Sequence, residues 1–186
     1  MLASKTVSYF DALRNAMTEL SQEKHVMFIG QAVAVDGTTM APSFRDVPME
    51  QRLEFPVAED LQMGFSIGLA LNGYLPVCVF PRWNFLLCAA NQLVNHLDRL
   101  PLYSDGGYCP KVIIRTAVPS TKPFYPGPQH DDDLTAPFRM MLRTVHVQTL
   151  RSPDEVTDAY RDALIREGSS LLVEHTEFYK DQRAQG

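Results

Sequence analysis

The chain has 186 residues, a formal net charge of -5, 45% hydrophobic residues and 21% charged residues. This composition is typical of one folded globular domain and excludes an intrinsically disordered chain. The acidic balance, without a cluster of lysines and arginines, argues against a nucleic-acid partner. No apolar run approaches the roughly 20 residues that a membrane-spanning helix requires, and the amphipathic start is unlike a secretory signal, so we expect a cytoplasmic protein without a membrane partner.

The first half of the chain predicts two helices, one buried strand and one long loop. Apolar residues at helical spacing predict an amphipathic helix over residues 5–21, and the next run, HVMFIG, predicts a buried strand closed by a glycine. Residues 31–53 show no periodicity and predict a loop of a length that is usually functional or disordered. An apolar helix is predicted over residues 58–71, and its Gly64 and Gly68 share a face, which indicates close approach of another backbone.

The second half predicts four more strands, which alternate with helices and loops. The strands are LPVCVF, KVIIRTAV, residues 145–150 and SLLVEH. A helix is predicted over residues 85–100, and another begins at a Ser152 cap with Pro153 in its first position. The Pro/Gly-rich segment STKPFYPGPQHDDD follows KVIIRTAV and predicts a loop that ends in three aspartates.

The alternation of strands and helices predicts the fold class. Parallel strands joined by right-handed crossovers give a three-layer α/β sandwich, in which helices flank a mainly parallel sheet. We find no internal repeat, so the whole chain, residues 1–186, is predicted to be a single domain. Functional groups of such a sheet gather on the loops beyond the carboxyl ends of its strands.

Cysteine spacing and short motifs exclude several kinds of site. The three cysteines, Cys78, Cys88 and Cys109, are odd in number and widely spaced, which fits neither a disulfide framework nor a zinc site and predicts buried thiols. The dinucleotide and P-loop signatures, the zinc-protease motif and the nucleophile elbow are all missing. The glycines of GFSIGLALNG lie in a helical pattern, so core packing is favoured there over a phosphate loop.

Six segments in register resemble a known family. The chain resembles the beta subunit of the decarboxylating component of 2-oxo acid dehydrogenases and, more distantly, the middle domain of transketolases and deoxyxylulose-phosphate synthases. The resemblance covers nearly the whole chain. It rests on FPVAE (55–59), GFSIGLALNG (64–73), FPRWNF (80–85), NQLVN (91–95), VIIR (112–115) and GPQH (127–130).

The resemblance implies the pyrimidine-binding subunit of a heteromeric thiamine-diphosphate enzyme. Such an enzyme decarboxylates a 2-oxo acid or transfers an acyl or ketol unit from a small-molecule donor. An alpha-like subunit would carry most of the contacts to the diphosphate and Mg²⁺, in an α2β2 heterotetramer, so this chain is expected to hold no metal itself. A non-catalytic scaffold or regulatory subunit with the same fold is the alternative.

The resemblance also implies roles for four residues near the cofactor. Glu59 would hydrogen-bond the pyrimidine ring and exchange a proton with it, for which the carboxyl group has to be buried; the alternative is an acid that stabilises a helix N-terminus. Phe85 would stack on the pyrimidine and Val57 would lie beneath the bent cofactor, with ordinary core packing as the alternative for both. Trp83 would line the pocket or simply pack.

His130 matches the family's loop histidine, which faces the substrate and stabilises charge on its oxygen or moves protons. The alternative is an exposed loop histidine beside the three aspartates, which we do not interpret as a metal site. Gln31 occupies a position where the family often has a glutamate at the subunit contact. The helix containing GFSIGLALNG and the segment around residues 91–95 are expected to face the partner, because both are too apolar to stay solvated.

Three departures from the family pattern bear on the substrate. Pro81 and Arg82 stand where the family usually has apolar or small residues near the cofactor, and Asp131 follows the loop histidine, where serine is common. A substrate other than an ordinary 2-oxo acid is therefore expected. The chain also ends soon after its last strand, where the family has a further domain, which favours a carboligating or biosynthetic enzyme.

Overall fold

The computed structural model describes residues 7–123 and 125–185. Residues 5 and 6 of the predicted first helix and Phe124 of the predicted loop lie outside them. A parallel sheet of six strands, in the order β2-β1-β3-β4-β6-β5, forms the centre of the described chain. The strands are β1 (Val26–Gly30), β2 (Arg52–Glu54), β3 (Leu75–Val79), β4 (Ile113–Val118), β5 (His146–Thr149) and β6 (Ser170–His175).

Helices cover both faces of the sheet, which confirms the predicted three-layer α/β fold. Six segments are α-helical: α1 (Tyr9–Leu20), α2 (Glu59–Leu71), α3 (Trp83–Cys88), α4 (Leu100–Tyr103), α5 (Thr135–Met141) and α6 (Pro153–Ile165). A π-helical turn spans Gln92–Leu97, and 3₁₀ turns span Ala41–Phe44, Met49–Gln51 and Thr176–Gln185. No helix among the described residues is long and apolar enough to cross a membrane.

Alternate residues of the buried strands point to two apolar cores. On one face, α1 and α6 cover a core that includes Phe28 of β1 and Leu172 of β6. On the other face, α2, α3 and α5 cover Cys78 and Ile114 together with the Trp83 indole. Strands buried on both faces explain why the sequence shows continuous apolar runs instead of polar and apolar alternation.

Hydroxyl caps fix where the two longest helices of the first core begin. Ser8 accepts a hydrogen bond from the Asp11 N–H at 3.0 Å, and Ser152 accepts one from the Glu155 N–H at 3.2 Å. Each bond satisfies one of the amides that a helix N-terminus leaves unpaired. The predicted Ser152 cap, with Pro153 in the first turn, is confirmed.

Two sequence predictions about local structure were wrong. Strand β2 overlaps the end of the predicted loop over residues 31–53, because it is too short to show a periodicity. Helix α5, also short, lies between residues 134 and 144, where no element was predicted. The predicted helix over residues 85–100 is interrupted. Its break is explained by Asp98, whose buried Oδ1 accepts the N–H groups of three consecutive residues, Arg143, Thr144 and Val145, and so holds the chain to the segment before β5.

A buried ion pair joins β4, β6 and three segments outside the sheet. Arg115 donates from Nε to Oε1 of Glu174 at 2.5 Å and from Nη2 to Oε2 at 3.0 Å, while its Nη1 donates to Ser43 at 2.7 Å. The hydroxyl groups of Tyr160 and Tyr179 also donate to the Glu174 carboxylate. Burial by itself lowers the pKa of Arg115, but Glu174 and the two tyrosines raise it above its usual value.

The cysteines differ in exposure, which corrects the prediction of three buried thiols. Cys78 is buried on β3, and burial raises the pKa of its thiol to about 11. Cys88 and Cys109 are exposed, because α3 ends at the surface and Cys109 lies in the turn before β4.

We expect a thiol reagent at neutral pH to modify two cysteines of the folded chain quickly and the third only on unfolding, since Cys78 is both inaccessible and protonated. Counting modified thiols by mass spectrometry, with and without denaturant, checks this. Cys88→Ser should lower by one the number of thiols that the reagent modifies quickly in the folded chain. Fast modification of all three thiols in the folded chain would contradict the placement of β3.

Candidate functional site

The strand order reverses direction between β1 and β3. From β1 the chain runs outward to β2 at the edge, then returns to β3 on the other side of β1. Ligands of open α/β sheets bind outside the carboxyl ends of the strands at such a switch point. Here the loops after β1 and β3 enclose a cleft of about 590 Å³. Gln31, Thr38, Pro81, Arg82 and Phe85 are among its lining residues.

Gly30 sets the narrow end of this cleft. A Cβ atom at Gly30 would lie 2.5 Å from the Val79 carbonyl oxygen and 3.0 Å from the Val79 Cβ. Backbone atoms cannot move aside as the end of a side chain can, so only glycine fits here. The carboxyl ends of β1 and β3 therefore approach closely, and Gln31 leaves the sheet at a fixed point.

The turn after Gln31 is held by a carboxylate. Glu54, the last residue of β2, accepts hydrogen bonds from the N–H groups of Ala32 at 2.6 Å, Val33 at 3.0 Å and Ala34 at 2.8 Å. Ala32 has a φ of 57°, a left-handed conformation that is unfavourable for a residue with a Cβ. Three charge-assisted bonds offset that cost and fix the direction in which Gln31 points.

Gln31 reaches the predicted catalytic acid. Its Nε2 donates to Oε1 of Glu59 at 3.1 Å. Glu59 is the first residue of α2 and is only 8% exposed, which satisfies the burial that its predicted role requires. Among the described residues only Oε1 of this carboxyl group accepts a hydrogen bond, so Oε2 is available to a ligand.

Phe85 and His130 form the other side of the site. Their ring centroids are 6.0 Å apart with an interplanar angle of 50°. The His130 N–H donates to the Gly127 carbonyl at 3.0 Å, which turns the loop towards α3, and Nδ1 is buried without a partner among the described residues. A buried imidazole nitrogen without a partner costs free energy in the isolated chain, so it is a candidate ligand contact.

The structure separates Val57 and Trp83 from this group. Trp83 is buried and packs on Phe138 with centroids 5.1 Å apart, which favours the packing alternative over a role in lining the pocket. Trp83 is fully buried in the core beneath α3, whereas Phe85 is only partly buried against that core. Val57 is 78% exposed in the turn that leads into α2, so its role beneath a cofactor stays a prediction.

Two of the three aspartates after His130 bond to their own loop. Asp131 accepts from the Tyr125 hydroxyl at 2.6 Å, and Asp133 accepts from the Thr135 N–H at 2.9 Å, where α5 begins. In the parts of the chain that the structure describes, no group of three or more His, Cys, Asp or Glu side chains is arranged to hold a metal ion.

Sequence reasoning missed Glu54. The residue stands directly before FPVAE, at the end of a strand that spans only Arg52–Glu54 and begins within the predicted loop over residues 31–53. Its sole signal was a carboxylate at a strand end, which is common on protein surfaces. Its function as an acceptor of three amides depends on the parallel pairing of β2 with β1, which brings Glu54 beside Gly30.

No protein-family model matches the sequence. Among curated proteins, the beta-3 subunit of the chloroplastic pyruvate dehydrogenase E1 component of Arabidopsis thaliana is 27% identical over 177 residues, which are 91% of this chain and 42% of that protein. The corresponding beta subunit of Gracilaria tenuistipitata var. liui is 26% identical over 180 residues, which are 93% of this chain and 54% of that protein. The chain thus spans about half the length of these relatives.

This chain is similar to pyruvate dehydrogenase E1 beta subunits over more than nine tenths of its length. A solved structure described as the inactive beta4 tetramer of split-gene transketolase has the same fold, with a TM-score of 0.70 at 18% identity. The match covers 91% of this chain and 51% of the transketolase chain. The resemblance and the transketolase-like fold that the sequence predicted are therefore confirmed.

Replacing Glu54 with alanine should loosen the turn after β1, because three amides lose a charged acceptor. A hydrogen bond to a charged group contributes enough stability that its loss should speed amide hydrogen exchange at Ala32, Val33 and Ala34 by roughly ten-fold or more. Glu50→Ala removes a carboxylate that makes no side-chain bond among the described residues and serves as the control. Unchanged protection in Glu54→Ala would show that the carboxylate does not hold the turn.

Proposed function

We propose that the chain is the pyrimidine-binding, beta-like subunit of a heteromeric thiamine-diphosphate enzyme that acts on a 2-oxo acid or ketose donor. The observation that carries this proposal is the buried Glu59 carboxyl group, which is oriented by Gln31 and keeps one oxygen available beside the cleft at the switch point. Homology to E1 beta subunits supports it over almost the full chain.

The residues around the cleft fit the aminopyrimidine of thiamine diphosphate. A flat heterocycle with ring nitrogens requires a carboxyl group at its edge and an apolar face to lie against. Glu59 supplies the first and the partly buried Phe85 ring supplies the second. His130 adds, on the same side as Phe85, a buried nitrogen that has no partner among the described residues.

Each side chain then has a defined task. Glu59 holds a proton on Oε2 against the pyrimidine ring and exchanges it, while Gln31 keeps the carboxyl group in place from the other oxygen. Phe85 excludes water from the face of the ring. His130 donates to the substrate oxygen on which negative charge develops. When bound, thiamine diphosphate supplies the carbanion stabilisation that no protein side chain offers.

A partner subunit completes the site in this proposal. The diphosphate and Mg²⁺ would be held mainly by an alpha-like chain, in an α2β2 assembly. The surface that supports a subunit contact is the outer side of α2, which we call the α2 face and define as Leu61, Phe65, Gly68 and Leu71. Leu61 is 60% exposed and Phe65 is 41% exposed.

Gly68 gives the α2 face its shape. A Cβ at Gly68 would meet no atom of the described residues within 4 Å, so no described part of the backbone uses the close approach that glycine permits. Apolar side chains around an open glycine on a helix form a surface suited to a second helix. The beta4 tetramer of split-gene transketolase shows that a chain of this fold associates with its own copies.

Glu59→Gln is expected to leave the fold and assembly intact and to lower turnover by roughly 10²–10⁴-fold, the usual size of a general acid-base contribution. Glutamine has the same shape and can still bond the ring, but it cannot exchange the proton. Turnover and proton exchange at the cofactor's reactive carbon, both measured on the assembled enzyme, should fall together.

Asp60→Asn is the matched control, because Asp60 also lies in the first turn of α2 but does not contact Gln31. An acid that only stabilises the helix N-terminus predicts the same small loss of melting temperature in both variants and normal turnover. That result would refute the catalytic role of Glu59 and favour a non-catalytic subunit.

Gly68→Leu should abolish assembly without harming the fold. Leucine is the better helix former by roughly 0.5–1 kcal/mol, and open space receives its side chain, so the melting temperature should hold or rise. Sedimentation velocity should show a wild-type oligomer and a smaller species for the variant. Asn15→Leu adds the same side chain to the exposed side of α1 as a control, and equal oligomers in all three proteins would remove the α2 face as a contact.

A further inference from the structure

A second cleft adjoins the proposed cofactor site. Its volume is about 630 Å³, and it lies between the segments that follow β3, β4 and β6. Thr39, Pro81 and Arg82 line both clefts, so the two spaces are continuous. A molecule in the second cleft would therefore extend from the carboxyl ends of β4 and β6 towards the space beside Gln31 and Phe85.

The second cleft is basic. Arg82, Lys122 and Lys180 line it, and no carboxylate is among the lining residues that the structure describes. The protein as a whole carries a net charge of -5, so the local excess of positive charge runs against the composition. Cations that share one concave surface repel one another, and an anion bound between them relieves that repulsion.

Arg82 is one of several arginines for which the structure shows no ion pair among the described side chains. Five arginines form ion pairs with carboxylates: Arg14, Arg99, Arg115, Arg161 and Arg166. Among the side chains that the structure describes, Arg82 has no such partner, although it is partly buried at the start of α3. A guanidinium group offers a planar fork of donors that matches a carboxylate or a phosphate.

Prolines and a hydrogen bond between two loops restrict the walls of the cleft. Pro81, Pro119, Pro123 and Pro126 line it, and proline restricts the backbone. The Ser120 N–H donates to the Thr176 hydroxyl at 2.6 Å, which ties the segment after β4 to the segment after β6. Binding to a preformed site loses less conformational entropy.

We propose that this second cleft binds an anionic group of the substrate that is remote from the reacting carbon. The inference rests on the proposed function, because it takes the first cleft as the place of reaction. Arg82, at the junction of the clefts, pairs with the anion through its planar fork, and Lys122 and Lys180 add charge from the outer rim. In this proposal the substrate carries a phosphate or a second carboxylate. A donor with an uncharged tail would offer no anion for the three cations to pair with.

Anion binding by the full chain tests this without cofactor or turnover. Inorganic phosphate and succinate are each titrated into isotopically labelled protein, and backbone chemical shifts report the site. We expect saturable shifts at residues of the second cleft. The tighter of the two probes identifies the group, phosphate or carboxylate, and either result supports the site.

Substitutions then locate the charge. Arg82→Met should weaken binding of the better probe about ten-fold, which corresponds to about 1.4 kcal/mol. Arg82→Lys keeps the charge but loses the planar fork of donors, so its affinity for the probe should lie between those of Arg82→Met and wild type. Lys122→Met and Lys180→Met should each weaken binding less than Arg82→Met. Lys24→Met removes an exposed lysine outside the cleft and should change nothing.

Two results would overturn the inference. The first is that neither probe causes a saturable chemical-shift change at residues of the second cleft. The second is that Lys24→Met and Arg82→Met weaken anion binding equally, which would mean that only the overall charge of the protein attracts the anion. Glu59→Gln should leave anion binding unchanged. A failure of the proposed function would look different. The assembled protein would then still bind the anion but would not bind thiamine diphosphate.

Discussion

The buried pair of Arg115 and Glu174 is the interaction on which the arrangement of the loops depends. Its two strands lie at the centre of the sheet, and its remaining hydrogen bonds reach Ser43, Tyr160 and Tyr179. Removing one member of a buried pair costs about 3–5 kcal/mol, because the other charge is left in an apolar core. The segment after β1, helix α6 and the C-terminal 3₁₀ turn are thereby held to one end of the sheet.

That constraint explains how a small domain keeps two clefts open. The segment after β1 contributes Gln31 and Thr39 to the cleft walls, and the C-terminal turn contributes Tyr179 and Lys180. Neither segment has strand or α-helical structure over these residues. Their position comes from polar contacts: the buried Glu174 carboxylate on one side and the more exposed Glu54 carboxylate on the other. Polar networks of this kind specify a single geometry when every member is satisfied.

Apolar runs were enough to predict β1, β3, β4 and β6, because buried parallel strands consist of little else. Apolar runs could not reveal β2, because it is only three residues long. They could not reveal the interruption before α4 either, because it depends on contacts between Asp98 and residues that lie 45 or more positions further along the chain. For the site, motif resemblance identified Glu59, Phe85 and His130, which the contacts of the fold connect through one cleft. Glu54 was missed and Trp83 was left between two roles, since both depend on which way a strand end or a helix face points.

The central claim is that this chain supplies half of a thiamine-diphosphate site and that a partner supplies the rest. Calorimetric titration of thiamine diphosphate with Mg²⁺ into the chain alone, and into the chain assembled with its alpha-like partner, tests it most directly. The account predicts no measurable binding to the chain alone and tight, Mg²⁺-dependent binding to the assembly. Micromolar, Mg²⁺-dependent binding to the chain by itself would contradict it.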